Sequence, residues 1–130
     1  MDSVNLNGLS ILVVEDEAVT AIDTACTIVR AGGTVVGPTY SLNEAFEEIE
    51  HARIDVALLD INLRNERVFR LADTLADRGV PIVFLSAEVW PVIPERHAGC
   101  WRVSKPISAS SMIAALRSAT TPDQSPAYAV

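Results

Sequence analysis

Apolar residues in this chain fall into short unbroken blocks set between longer stretches of helical spacing. Leu9 to Val14 is one block, Val56-Ala57-Leu58-Leu59 is another, and Val80-Pro81-Ile82-Val83-Phe84-Leu85 is a third. A short apolar run without polar alternation reads as a strand covered on both faces, the habit of parallel sheets. Thr34-Val35-Val36-Gly37 and Trp101-Arg102-Val103-Ser104 read as two further strands. Helical patterns lie between them. Residues 17–31 carry Val19, Ile22, Ala25, Cys26 and Val29 on one predicted inward face, and Gly32-Gly33 closes that helix. Ser41 is predicted as an N-cap with Glu44 as its capping-box partner. The helix it opens runs to about Ala52, with Leu42, Ala45, Phe46 and Ile49 on one face.

After Asp60 a polar loop, Asn62 to Asn65, leads to a helix predicted from about Glu66 to Arg78, with Val68, Leu71, Ala72 and Leu75 inward. Ser108 caps a last helix to about Ser118, with Met112, Ile113 and Leu116 inward. The piece from Glu88 to Gly99 differs, because it contains Pro91 and Pro94. An interior proline costs a helix about 3 kcal/mol, so at most a short, broken helix is expected there. Residues 1–8 form a polar N-terminal extension, expected to be frayed, and residues 120–130 a Pro-, Ser- and Ala-rich tail, expected to be disordered. Residues 9–119 remain as one domain. Strand and helix alternate five times, which predicts an α/β fold with a parallel sheet and right-handed crossovers. Chain order alone does not fix strand order.

Composition narrows the function classes. With 130 residues the chain is sized for one domain, and 49% hydrophobic residues suffice for a proper core. A formal net charge of -7 argues against nucleic acid or an anionic membrane surface as the direct partner. Cys26 and Cys100 fit neither a disulfide framework nor a metal-binding pattern. Both read as small buried hydrophobes in a reducing compartment. No apolar stretch approaches the roughly 18 residues of a membrane span, and the start lacks a signal-peptide pattern. The expectation is a soluble cytoplasmic protein.

The chemistry sits at the ends of the predicted strands. The first ends in Glu15-Asp16, the third in Asp60, the fourth in Ser86 and the fifth in Lys105. In parallel strands these groups share one sheet edge, where open α/β folds do their ligand chemistry. Taken singly, Glu15-Asp16 could start a helix, Ser86 could be a loop hydroxyl and Lys105 a surface charge. Jointly, three crowded carboxylates repel without a cation, and an all-oxygen ligand set with room for water suits Mg²⁺. An ammonium and a hydroxyl beside that ion are what a transferring phosphoryl group needs. Asp60 is then free to act as nucleophile and become an acyl phosphate.

The set Val13-Val14-Glu15-Asp16, Leu58-Leu59-Asp60, Leu85-Ser86-Ala87 and Ser104-Lys105-Pro106 resembles the receiver domain of two-component response regulators over about residues 8–119. That resemblance implies a flavodoxin-like, doubly wound sheet of five parallel strands in the order 2-1-3-4-5. It implies that Asp60 accepts phosphate from a sensor histidine kinase, that Glu15 and Asp16 hold Mg²⁺ with help from the Asn62 carbonyl, and that Ser86 bonds the phosphoryl oxygen. It further implies that Lys105 pairs with the phosphate and precedes a cis proline bond, and that Asn62 and Glu88 tune hydrolysis. The run Phe84-Leu85-Ser86-Ala87-Glu88-Val89-Trp90 is similar to stand-alone receivers of alphaproteobacteria, often paired with HWE-type histidine kinases. The family's aromatic switch three residues before the lysine is absent: Arg102 stands there, and Trp101 lies one place earlier.

The reading is thus a stand-alone regulatory phosphoacceptor that catalyses only its own phosphorylation and dephosphorylation. It is expected as a monomer or weak dimer that docks to a downstream protein or passes phosphate to a phosphotransfer protein. The irregular segment Glu88 to Gly99 together with the fifth strand, flanked by Trp90 and Trp101, is the expected output surface. Other classes fit less well. A Rossmann-type nucleotide enzyme needs a glycine-rich turn after the first strand, where this chain has Glu15-Asp16-Glu17. A phosphatase with an aspartyl nucleophile needs a second acid near Asp60, where Asn62 stands. A receiver-like adaptor acting without phosphorylation has no need of all five site residues.

Overall fold

In the computed structural model of the chain, described for residues 4–64, 66–88 and 91–121, the order of elements is regular up to one departure. The chain runs β1 (Ser10–Val14), α1 (Ala18–Arg30), β2 (Thr34–Thr39), α2 (Leu42–Ile49) and β3 (Val56–Asp60). A hairpin of β4 (Asn62–Leu63) and β5 (Glu66–Arg67) comes next, then α3 (Phe69–Asp77) and β6 (Ile82–Ser86). A 3-10 turn at Glu95–His97, β7 (Trp101–Ser104) and α4 (Ala109–Ala119) complete it. The five long strands form one parallel sheet, ordered β2-β1-β3-β6-β7. Counting only those strands, this is the 2-1-3-4-5 order that the resemblance implied.

The unbroken apolar runs are explained by two cores. In β3, Ala57 and Leu59 face one core with Leu12, Val14 and Phe84, under α2 and α3. Val56 and Leu58 face the other with Ile11, Val13, Val83 and Leu85, against Ile28 of α1 and Met112 and Leu116 of α4. Both faces of the central strands are dry, so polar alternation has no place in them.

Several expectations are corrected. The apolar stripe of α1 points outward: Val19, Ile22 and Val29 are 78%, 54% and 60% exposed. The buried face is Ala21, Thr24 and Ile28. Small residues let this helix lie close to the sheet, and Gly33 makes room for Ile28, since a Cβ on it would lie 2.8 Å from the Ile28 Cγ2. Cys26, expected buried, is exposed with that stripe, while Cys100 is half-buried. Residues 4–8 are not frayed. Leu6 is fully buried and its N–H donates to the Ala31 carbonyl at 2.9 Å. The Arg117 guanidinium donates to the carbonyls of Asn5 and Asn7.

The third helix starts at Phe69, three residues later than expected, because Glu66-Arg67 pairs with Asn62-Leu63 instead. Buried Val68 closes that hairpin, its N–H donating to the Ile61 carbonyl at 3.1 Å. Ser41 caps α2 as predicted, accepting from Glu44 N, and Glu44 reaches back to the Tyr40 N–H, one residue before the cap. That helix ends at Ile49, short of Ala52. The proline-bearing segment carries only the 3-10 turn at Glu95–His97. Trp90 and residues 122–130 lie outside the described residues. Among the described residues, no helix is long and apolar enough to cross a membrane.

Candidate functional site

Four of the five parallel strands, β1, β3, β6 and β7, deliver polar groups to the edge where they end. Glu15 follows β1 directly, anchored by its N–H to the Thr39 carbonyl at 3.0 Å. Asp60 is the last residue of β3 and Ser86 the last of β6, and both are buried. Lys105 follows β7, its N–H donating to the Ser86 carbonyl at 2.9 Å. The Lys105-Pro106 bond is cis, as is Gly37-Pro38.

The Lys105 Nζ donates to Glu15 Oε2 at 2.9 Å and to Asp60 Oδ2 at 3.0 Å, so one ammonium bridges two buried carboxylates. Carboxylate oxygens of Glu15, Asp16 and Asp60 lie within 4.8 Å of one another. Asp16 is half-exposed, and its Oδ2 accepts the main-chain N–H of Arg64 at 2.7 Å. Asp60 Oδ1 accepts the Asn62 N–H at 3.1 Å. Ser86 is turned toward its own loop: its Oγ accepts the Glu88 N–H at 3.0 Å and lies 3.3 Å from the Glu88 carbonyl. The Asn62 side-chain amide donates to Glu88 Oε1 at 2.6 Å, with Arg67 4.0 Å from the same oxygen.

The crowding pushes Glu15 toward its neutral form and holds Lys105 in its charged one. Burial, reinforced by the neighbouring Asp60 and opposed by Lys105, pushes the Glu15 carboxyl up to about 7. Burial works to lower the Lys105 ammonium, but its bonds to Glu15 and Asp60 outweigh that and hold it above its usual value. One cation against three carboxylates leaves net negative charge in a largely dehydrated cleft. Three oxygen ligands open to solvent on the Asp16 side are a donor set that fits Mg²⁺, which keeps several waters. Beside Lys105, a groove of about 630 Å³ is lined by Glu17, Val19, Thr20, Asp23, Pro106 and Ile107.

All five side chains singled out from the sequence thus stand at one edge. Four of them, Glu15, Asp16, Asp60 and Lys105, form one cluster, and Ser86 stands beside it on the neighbouring strand. Trp101 is half-buried against the α4 side of the sheet, and Arg102 is exposed on β7. The Arg64 N–H and the Arg67 side chain, both beside the site, were not foreseen. Glu66 and Arg67 carry helix-forming side chains, and only the flanking Leu63 and Val68 hint at a hairpin.

A model of the response regulator receiver domain matches residues 11–117. A search of curated proteins finds no match. Among solved structures, SdrG from Sphingomonas melonis Fr1 is 29% identical, with a TM-score of 0.73 over 89% of this chain and 97% of that one. The N-terminal domain of a response regulator/sensory box/GGDEF 3-domain protein from Carboxydothermus hydrogenoformans is 25% identical, with a TM-score of 0.75 over 85% and 93%. A response regulator receiver protein from Sinorhizobium medicae WSM419 is 24% identical, with a TM-score of 0.73 over 86% and 94%.

Proposed function

This chain belongs to the response regulator receiver domain family, and from that premise we propose that Asp60 accepts a phosphoryl group from a sensor histidine kinase in a Mg²⁺-dependent reaction. The observation that carries the reading is the Lys105 ammonium bridging Glu15 and Asp60, with Asp16 beside them. An aspartate held this way is aimed and shielded, which is what a nucleophile needs. One Asp60 oxygen bonds to phosphorus as the phosphorus–nitrogen bond of a phosphohistidine breaks, and the electron pair leaves on the imidazole nitrogen.

Glu15, Asp16 and Asp60, with the Asn62 carbonyl, would hold Mg²⁺, whose charge offsets that of the phosphoryl oxygens when it is bound. Lys105 shifts from its carboxylate partners to a phosphoryl oxygen and neutralises it. Ser86 leaves its bond with the Glu88 N–H and donates its hydroxyl proton to another phosphoryl oxygen. Asn62 and Glu88, joined across the mouth of the site, set how fast water returns to remove the phosphate.

The groove beside Lys105, which Val19 of α1 helps to line, supports a helical phosphodonor as the partner, since it opens next to the ammonium that bonds Asp60. The Phe84–Trp90 resemblance supports a donor of the HWE type. Output passes to a downstream protein or a phosphotransfer protein, from a soluble cytoplasmic receiver that is monomeric or weakly dimeric. Incubation with acetyl phosphate and Mg²⁺ tests the central claim: the mass should rise by one phosphoryl group, mapping to Asp60. An unmodified Asp60 would leave an adaptor that binds without phosphorylation as the better reading.

A further inference from the structure

Pro91 and Pro94, ahead of the 3-10 turn, donate no N–H and so bar helical bonds at those positions. The far end of the segment that follows Ser86 is held by the buried imidazole of His97 together with its neighbour Arg96. His97, in the 3-10 turn, is 2% exposed. Its ring lies 6.4 Å from Phe69 of α3 at 14° and 5.9 Å from Phe84 of β6, edge-on. Its Nε2 sits 2.7 Å from Asp73 Oδ1 on α3. Next to it, Arg96 pairs with Asp73 and Asp77. Inside the turn, the N–H groups of His97, Ala98 and Cys100 donate to the carbonyls of Pro94, Glu95 and His97.

Phe84 lies two residues before Ser86, and side chains two apart share a strand face. The ring that grips β6 therefore does so on the face from which Ser86 acts, one pleat upstream. We propose that His97 is a positioning residue for the phosphoryl-dependent switch. Docked between Phe69 and Phe84 and bonded to Asp73, it fixes the far end of the segment that follows Ser86. Movement that begins at the Ser86 hydroxyl then stops before the turn, and residues 95–100 keep one conformation in both states, which narrows the expected output surface to residues 88–94 and the strand at Trp101–Ser104. This rests on Asp60 being the phosphoacceptor.

The alternative is a histidine that merely fills the core. Ring packing alone would then suffice, and the Asp73 bond would be incidental. Hydrogen exchange separates the two, on the full chain in Mg²⁺ with and without beryllofluoride, where BeF₃⁻ stands in for the phosphoryl group on Asp60. In the wild type the Glu88 amide should change, because its bond to the Ser86 hydroxyl breaks, while the amides of His97, Ala98 and Cys100 stay the same. Asp73→Ala removes a half-exposed carboxylate shared by His97 and Arg96 and leaves the apolar packing in place, so the core should remain folded. There, beryllofluoride should lower the protection of the three turn amides by about ten-fold, the scale of one lost hydrogen bond to a charged group.

His97→Phe keeps the ring and removes the bond. It should behave as Asp73→Ala does; behaviour like the wild type would overturn the proposal. A wild-type turn that changes as much as Glu88 would overturn it too. If acetyl phosphate modifies Asp60 and the Glu88 amide stays unchanged, there is no movement to stop, and the proposal falls alone. If Asp60 stays unmodified, the phosphoacceptor reading falls and takes this one with it.

Discussion

Asp16 accepts the main-chain N–H of Arg64 at 2.7 Å, which ties the end of β1 to the hairpin that begins two residues after Asp60. A carboxylate drawn toward a divalent cation changes its bond to that N–H. Titration with Mg²⁺ should therefore shift the Arg64 amide resonance in step with metal binding. The melting temperature should rise by mass action. Asp16→Asn keeps an oxygen for the Arg64 N–H but loses a charge, so it should retain the fold and blunt both responses. Equal Mg²⁺ affinity in the two proteins would remove Asp16 from the site.

Asp60→Asn keeps the shape of the end of β3 and removes the nucleophilic charge. Acetyl phosphate should then leave no phosphoryl group on the protein. Lys105→Met should slow phosphorylation at least ten-fold, the scale of one lost electrostatic contact in a transition state. It also strips the ammonium from two buried carboxylates, so it should destabilise the metal-free fold by about 2 kcal/mol. A denaturant melt and a phosphorylation time course check both numbers.

Glu15 sets a pH dependence with a definite sign. Its carboxyl is raised from 4.5 to about 7 in the fold. Between those values the folded chain holds a proton that the unfolded chain has lost, so stability falls as pH rises. The slope should approach about 1 kcal/mol per pH unit and end near pH 7. Saturating Mg²⁺ favours the ionised carboxylate and should abolish that fall. Denaturant melts from pH 4.5 to 7.5, with and without Mg²⁺, read the difference, and Glu15→Gln should lose that part of the fall.

The phosphorylated protein should be short-lived, because Asn62 and Glu88 are polar groups able to hold a water near Asp60. Their 2.6 Å bond means that they act as a pair. Glu88→Ala should alter the decay rate, and Asn62→Ala should alter it again by less in that background than alone, the mark of coupled residues. Loss of radiolabelled phosphate from purified protein measures it. A wild-type lifetime of many hours in Mg²⁺ would refute the expectation.

The site was legible because its residues stand at strand ends, where an apolar run makes the last position conspicuous. Asp60 and Ser86 are the first polar side chains after four or more nearly unbroken apolar positions, and Glu15 follows Val13-Val14. The strand order was legible only through the resemblance. The facing of α1 was not legible at all. Hydrophobic spacing assumes that the largest apolar residues point inward, and here the sheet receives Ala21 and Thr24 with only Ile28 as a large residue. The hairpin was missed because Glu66 and Arg67 are good helix formers, and a tertiary bond, Arg64 to Asp16, joins chain positions that no local pattern connects. Leu6 was read as part of a polar extension because one apolar residue makes no period, yet it is among the fully buried side chains.

The reversed facing of α1 separates two kinds of change that most helices must make together. Val19, Ile22 and Val29 can be exchanged for other residues with little effect on folding, since substitutions at such exposed sites stay within about 0.5 kcal/mol. Ala21, Thr24 and Ile28 are held in place by the sheet beneath them. The outer side of this helix can therefore change while the other keeps the domain intact, and with a phosphodonor docked there, as proposed, a gene duplicate need not pass through an unstable intermediate to acquire a new allegiance.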